Sequence, residues 1–502
     1  METVFDNESN KLKLEYESLD SKFLPAVNIG KSMKYTYEEM ASPLNISTSR
    51  RFGPRLHQTD TTTKKSYRIC MVSDYFYPSV GGVESHIWAL SCGLIEKGHS
   101  VVVITHIYED YFGIKEFENG LRVYYLPLKP FYDNNTLPTI FGALSTIRRV
   151  LMKEQIHIVH GHSSFSSLAQ EALLAGRLLG LKVVFTEHSL LFFKFGLGNI
   201  SAIIINKLLE ISLAACDQCI CVSQAVKENL AQRGNINQSQ ISVIPNGLDS
   251  QRFRPDPSQR NSSKIIVVAI SRLVYRKGID LLAQVIPIVC SEHEEVQFLI
   301  GGDGPEMYVL KKMVESHSLQ SRVSLLGTIN TSDVQSVLVK GDIFLNTSLT
   351  EGFCMAVLEA AASGLYVVST DVGGVSEILP DPLITLVAPT VKAIVSGLRN
   401  AIQIQGEELQ QSLSEWNSKI HNEYCWKKVV DKTCITYEKI LTMPKCGIRE
   451  SFWSKPVCSD DIVTNTHTFF GIDSSMAAKE LVWTHANLAT RITSRETLPK
   501  TW

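Results

Sequence analysis

Three short stretches of this sequence hold side chains suited to binding and transferring a charged group. The first is "EGFCMAVLE" (351–359), in which Glu351 and Glu359 bracket mostly apolar residues. A helix starting near Gly352 or Phe353 would leave Glu351 on the preceding loop and aim free N–H groups at an anion. Glu359 would follow about two turns on, where a carboxylate could bind hydroxyls. On this stretch alone a second reading stands equally: Glu351 favours the helix start by its charge, and Glu359 is solvated. The second stretch, "SRLVYRKG" (271–278), crowds Arg272, Arg276 and Lys277 into one loop. A guanidinium grips phosphate with two prongs and a lysine adds a point charge; a solvated basic turn is the plainer alternative. The third, "YPSVGGVESH" (77–86), places Gly81-Gly82 before a helix, where backbone can approach an anion closely. A tight turn explains it as well.

Other candidates are weaker singly. His188 ends "LKVVFTEH", and His160 and His162 end "IHIVHGH". Buried structural histidines are commoner than functional ones. Glu187 adjoins His188, but strand alternation points it the other way. "GGDGPE" (301–306), with Gly302, is a sharp glycine turn without the lysine of a P-loop or the dinucleotide spacing. Cys216, Cys219 and Cys221 lie close together, but no second cluster completes a zinc site, so they are expected as core thiols and no metal is expected.

These loops need a frame. From residue 67, apolar runs rich in strand formers alternate with helical stretches: "YRICMVSD", "SVVVITH", "IHIVHGH", "LKVVFTEH" and "QCICVS". Such runs separated by helices predict a parallel sheet covered on both faces. After "IPNGLDSQRFRPDPSQRNSS" (244–263), rich in Pro, Asn, Asp and Ser, the alternation restarts through "LYVVSTD" (365–371). The expected organisation is therefore a polar, disordered extension (1–66) and a Rossmann-like domain (67–245). A linker (246–263) and a second Rossmann-like domain (264–423) follow, then a helix (424–442) packing back towards the first domain and a poorly ordered tail (443–502). The class is α/β, two doubly wound domains facing a cleft. Nearly every loop above falls at the carboxyl end of a strand, where ligands bind such sheets.

Composition adds exclusions. A net charge of −2, with 44% hydrophobic and 20% charged residues, gives no global attraction to nucleic acid. The chain starts without a signal-peptide pattern, and eleven cysteines fit a reducing compartment. No stretch reaches the ~18 apolar residues of a membrane span. The nearest, 190–216, is interrupted by Lys194, Lys207 and Glu210, and reads as a partly buried or membrane-touching helix.

Taken together and in order, the loops resemble the retaining nucleotide-sugar glycosyltransferases of family 4, which have the GT-B fold. The matching residues are Gly81-Gly82-Val83-Glu84, His188, Pro245-Asn246-Gly247, Arg272 with Lys277, Gly302-Asp303-Gly304-Pro305, and Glu351-x7-Glu359. The resemblance spans about 67–440. It is closest to the branch that moves N-acetylglucosamine from a UDP donor to phosphatidylinositol, on "SDYFYPSVGGVESHIW", "SRLVYRKGIDLL" and "LNTSLTEGFCMAVLEAAASGLYVVST". That branch starts glycosylphosphatidylinositol (GPI) anchor synthesis on the cytoplasmic face of the endoplasmic reticulum, within a multi-subunit complex.

The resemblance implies roles. Arg272 and Lys277 would clamp the donor diphosphate in place of a metal, so no cofactor is expected. Glu351 would hold the sugar, Glu359 the ribose, and His188 would sit by sugar and acceptor. Gly81, Gly82, Gly302, Gly352 and Phe353 would belong to the donor site; Glu84 and His162 would lie on the acceptor side. These residues do not select the nucleotide, so another family-4 enzyme, such as a mannosyltransferase, remains the alternative. A catalytically dead scaffold is disfavoured by the full set of charged residues. The tail departs from the family's pattern, since 443–502 carries no hydrophobic segment. Attachment is then expected through partner subunits or 190–216.

Overall fold

A computed structural model of the chain describes residues 65–130, 134–136, 142–190, 198–260, 263–381, 383–404 and 417–444, without side chains for 198–205. The expectations for 1–64, for 191–197 and for the tail from 445 lie outside these residues.

The first sheet has eight strands: β1 (Arg68–Val72), β2 (Ser100–His106), β3 (Gly113–Glu116), β4 (Arg122–Leu126), β5 (Ile158–His162), β6 (Lys182–Glu187), β7 (Gln218–Cys221) and β8 (Ile241–Val243). Their spatial order is β3-β4-β2-β1-β5-β6-β7-β8, parallel except for β3. Helices α1 (Gly82–Glu96), α2 (Gly142–Lys153), α3 (Ser167–Leu178), α4 (Gly198–Ala214) and α5 (Gln224–Gly234) connect them. The second sheet has six parallel strands: β9 (Ile265–Ile270), β10 (Val296–Gly301), β11 (Val323–Gly327), β12 (Ile343–Asn346), β13 (Tyr366–Thr370) and β14 (Ile384–Val387). Their order is β11-β10-β9-β12-β13-β14. Here the helices are α6 (Ile279–Glu292), α7 (Met307–Ser316), α8 (Val334–Leu338), α9 (Met355–Ala362) and α10 (Val391–Gln403).

The near-continuous apolar strands fill the core, because helices on both faces exclude water from both rows of side chains. Ile69, Cys70, Met71 and Val72 are all fully buried, as are Val267, Val268, Val367 and Val368. Cys216, Cys219 and Cys221 are buried free thiols, as expected of core residues.

Both sheets reverse strand order beside their first strand. β1 lies between β2 and β5, and β9 between β10 and β12. Each reversal opens a crevice at the carboxyl ends, where ligands bind. The loop after β1 carries Gly81-Gly82, and the loop after β9 carries Arg272 and Lys277.

Four strands go beyond the sequence expectation: β3, β4, β8 and β14. β3 is exposed along its length, so no buried face marks it. It pairs with β4 through a hairpin around Asn119-Gly120, with Gly120 at φ +84°. Asn-Gly favours such turns because both residues tolerate positive φ.

A final helix, α11 (Trp426–Thr442), lies against α1 of the first domain. A Cβ on Gly93 would sit 2.5 Å from Val430, so glycine permits the close approach. Lys97 pairs with Asp431, and the Tyr437 hydroxyl meets His160 Nδ1 at 2.7 Å. On α4, Leu209 and Leu213 are buried whereas Leu208 and Ile211 are exposed. Among the described residues no helix is long and apolar enough to cross a membrane.

Candidate active site

On the second domain's side, the loop after β9 turns through Tyr275–Lys277 and ends at Gly278, φ +65°. A Cβ on Gly278 would lie 1.9 Å from the Thr347 carbonyl oxygen, so only glycine fits. α6 then opens directly behind Lys277, and no side chain caps its N-terminus. Gly302 (φ +124°) would clash likewise, its Cβ 1.8 Å from the Ser271 carbonyl oxygen. The glycine turn of 301–304 thus supports the basic loop: Leu273 N donates to Asp303 O at 2.9 Å. Arg272 is exposed, and its guanidinium enters no ion pair among the described residues.

Lys277 Nζ donates to Glu351 Oε1 at 2.5 Å, with both side chains mostly buried. Ser348 Oγ lies 2.7 Å from the same oxygen. Cys354 packs beside the pair, and burial pushes its thiol up to about 12. An ammonium has three donors. One holds Glu351, and two remain to meet an anion.

The helix of "EGFCMAVLE" begins at Met355, with Cys354 as its cap, rather than at Gly352 or Phe353. Residues 351–354 stay irregular because they meet the other domain. A Cβ on Gly352 would lie 2.6 Å from the His188 carbonyl oxygen. The Gly352 carbonyl accepts from Ser223 Oγ at 2.7 Å, and the Glu351 carbonyl accepts from Gly374 N at 3.1 Å. Glu359 therefore stands one turn into the helix, not two. Burial raises its carboxyl to about 7, and nearby Arg252 draws it down only in part. Water reaches part of the residue, yet the carboxyl itself sits in a poorly solvated place. The Phe353 ring is buried against Tyr424, 6.0 Å between centroids, so its backbone rather than its ring can meet a ligand.

On the first domain's side, Gly82 faces open space, with nothing within 4 Å of a Cβ. Gly81 does not: its Cβ would lie 2.4 Å from Glu84 Oε2. Glu84 is buried, and Ser79 Oγ donates to it at 3.2 Å. Its carboxyl thus braces the glycine turn. His188 and His162 sit together, His162 Nδ1 3.2 Å from His188 Nε2. Burial, with the other imidazoles close by, holds both well below the usual histidine value, so both are neutral at pH 7.

The site thus gathers Lys277, Glu351, Gly352 and His188 at one junction between the sheets. Arg272 and Gly302 flank it on the second domain, and Gly82 lies across the cleft on the helix that carries His86. The His86 and His188 ring centroids are 4.7 Å apart.

Sequence reasoning missed several positioning residues. Glu187 is fully buried. Its carboxylate accepts from His188 N (2.9 Å), Ser189 N (3.0 Å) and Ser164 N (3.0 Å), and from Ser164 Oγ. Pointing away from the ligand side is what lets it fix His188. Asp74, buried after β1, accepts from Ser166 Oγ, Thr136 Oγ1 and Leu168 N at 2.6, 2.6 and 3.1 Å. Glu377 of the second domain accepts from Gln224 N and Ala225 N, at 2.5 and 2.8 Å, capping α5 of the first. A buried acid at a strand end was the available signal for Glu187 and Asp74; nothing local marks Glu377.

Two Rossmann-like sheets closing on a basic loop, a glycine turn and a lysine-bound glutamate define a GT-B glycosyltransferase. Sequence comparison agrees. Residues 80–252 match the family model "Glycosyltransferase Family 4", and residues 250–419 match "Glycosyl transferases group 1". The fold is shared with sucrose-phosphate synthase from Thermosynechococcus elongatus (TM-score 0.62, 18% identity, 75% of this chain and 99% of that one). A phosphatidylinositol N-acetylglucosaminyltransferase subunit of Homo sapiens is 46% identical over 384 residues, covering 76% of this chain and 78% of the human protein. The Arabidopsis thaliana protein of the same name is 46% identical over 382 residues, covering 76% and 83%. The chain belongs to this phosphatidylinositol N-acetylglucosaminyltransferase family.

Proposed function

We propose that this glycosyltransferase moves N-acetylglucosamine from UDP-N-acetylglucosamine to the inositol of phosphatidylinositol, with retention of configuration. This is the first step of GPI-anchor synthesis. We place it within a multi-subunit complex at the cytoplasmic face of the endoplasmic reticulum. The reading rests on the 46% identity to relatives named for that activity, over the two domains that hold the Lys277–Glu351 pair.

The chemistry follows from the site. Breaking the sugar–phosphate bond leaves negative charge on the departing UDP. On this reading Lys277, Arg272 and the N-terminus of α6 meet that charge, and the partly buried setting of Lys277 strengthens its pull. They do the work of a metal ion, so the donor needs none here. Glu351, held by Lys277 and Ser348, accepts from the sugar's hydroxyls. Glu359 accepts from the ribose hydroxyls once ionised. Neutral His188 hydrogen-bonds sugar or acceptor without adding charge. The acceptor attacks from the face the diphosphate leaves, and a donor phosphate oxygen takes its proton, so no side chain serves as general base. Gly82 lets backbone approach the diphosphate.

The test is transfer by the enzyme complex with a panel of nucleotide sugars and phosphatidylinositol. The reading expects product from UDP-N-acetylglucosamine. Transfer from GDP-mannose alone would overturn it.

A further inference from the structure

His86, His162 and His188 come from three separate elements: the first turns of α1, the end of β5 and the residue after β6. One ring nitrogen from each lies within 4.8 Å of the other two. His86 and His162 are buried. The family-4 mechanism above uses His188 alone, as a neutral hydrogen-bonding group. It does not explain why three imidazoles converge.

We propose that these histidines form a zinc site that reversibly inhibits the transferase when filled. Neutral imidazole is a preferred ligand of Zn²⁺, and three with one open position is a common zinc arrangement. Tetrahedral geometry at 2.0–2.1 Å bonds sets the nitrogens ~3.4 Å apart, so the gaps of up to 4.8 Å must close by at most ~1.4 Å. His162 Nδ1 and His188 Nε2 already stand at 3.2 Å.

The surroundings complete the site. Asn246 Oδ1 accepts from His86 Nδ1 at 2.9 Å. That bond fixes the tautomer and leaves Nε2 with the lone pair, as an outer partner of a metal-bound histidine does. Trp426 packs against the His86 ring at 5.4 Å, Met71 Sδ lies 3.5 Å from His162 Nε2, and the His160 ring lies 4.2 Å from that of His162. The proton now shared between His162 and His188 moves to the outer nitrogen of the same ring. Both imidazoles then offer lone pairs, and binding releases no net proton. The fourth position faces the cleft and takes water or an anion. Zinc ties up His188, so sugar and acceptor lose it.

The experiment uses the purified enzyme complex and Zn²⁺ alone. Competition against a chromophoric chelator should give one tight Zn²⁺ per chain, and X-ray absorption should show three nitrogen ligands at about 2.0–2.1 Å. Asn246→Ala, which leaves all three ligands, should weaken binding about 10–100-fold. His86→Ala should weaken it further, and Zn²⁺ inhibition of transfer, reversed by chelator, should weaken in parallel. Sulfur ligation, equal affinity in Asn246→Ala and His86→Ala, or tight binding without inhibition would overturn the proposal. Because zinc affinity is read without any sugar donor, the outcome is independent of which nucleotide sugar the enzyme uses.

Discussion

Glu359 offers a prediction in which stability and function oppose one another. Its carboxyl is buried, and its pKa stands at about 7 against an ordinary 4.5. A raised carboxyl disfavours the folded state once ionised. The stability present below pH 4.5 is lost as pH rises through 7, and the loss is complete near pH 8. At ~1.4 kcal/mol per pH unit, that difference corresponds to about 3 kcal/mol. The substitution Glu359→Gln keeps the shape and removes the charge. It should raise the thermal midpoint of the donor-free protein at pH 8 and change it little at pH 5. In the proposed mechanism ionised Glu359 is also the form that accepts from ribose hydroxyls. Between pH 8 and pH 6 its ionised fraction falls ~10-fold, so donor kcat/KM should fall ~10-fold with it. Saturating donor should hide most of that fall. In Glu359→Gln the slope should vanish, with affinity low throughout. Thermal scans at two pH values and a donor kcat/KM profile read both effects. A variant no more stable at pH 8, with the wild-type pH slope intact, would refute the reasoning.

Three further changes test other parts of the site. In the proposed mechanism Lys277→Ala removes one preorganised charge at the leaving diphosphate, so it should lower kcat about 10²–10³-fold in a transfer assay. Gly352→Ala puts a Cβ 2.6 Å from the His188 carbonyl oxygen, forcing the domains apart. It should cut kcat/KM steeply while circular dichroism stays native. Glu187→Gln replaces a fully accepting carboxylate by an amide with one oxygen, leaving part of its buried donor set unmet. It should lower stability by about 1–3 kcal/mol in denaturant titration and lower kcat as well, because His188 loses its anchor.

The parallel sheets were legible because β1, β2 and β9 read as near-continuous apolar runs. β3 was not, since all its residues are exposed and only the Asn119-Gly120 turn betrays it. Arg272, Lys277 and Glu351 announced themselves by type, and the strand ends placed them in the cleft. The expected start of the Glu351 helix, Gly352 or Phe353, falls two or three residues too early because Gly352 answers to His188, a contact 164 positions away along the chain. Glu84, placed on the acceptor side by the resemblance, accepts from Ser79 Oγ beside the glycine turn, a local bond the sequence did not indicate. The three-histidine cluster is built from α1, β5 and β6 together, so no spacing in the sequence could show it.

The central claim is that Lys277 and Glu351 serve transfer of N-acetylglucosamine to phosphatidylinositol. Its most direct test is to express the chain in cells that lack their own enzyme of this family and to follow labelled N-acetylglucosamine into phosphatidylinositol in their membranes. The wild-type chain should restore the labelled lipid, and Lys277→Ala, expressed at the same level, should not. Failure of the wild-type chain, or full restoration by Lys277→Ala, would contradict the account.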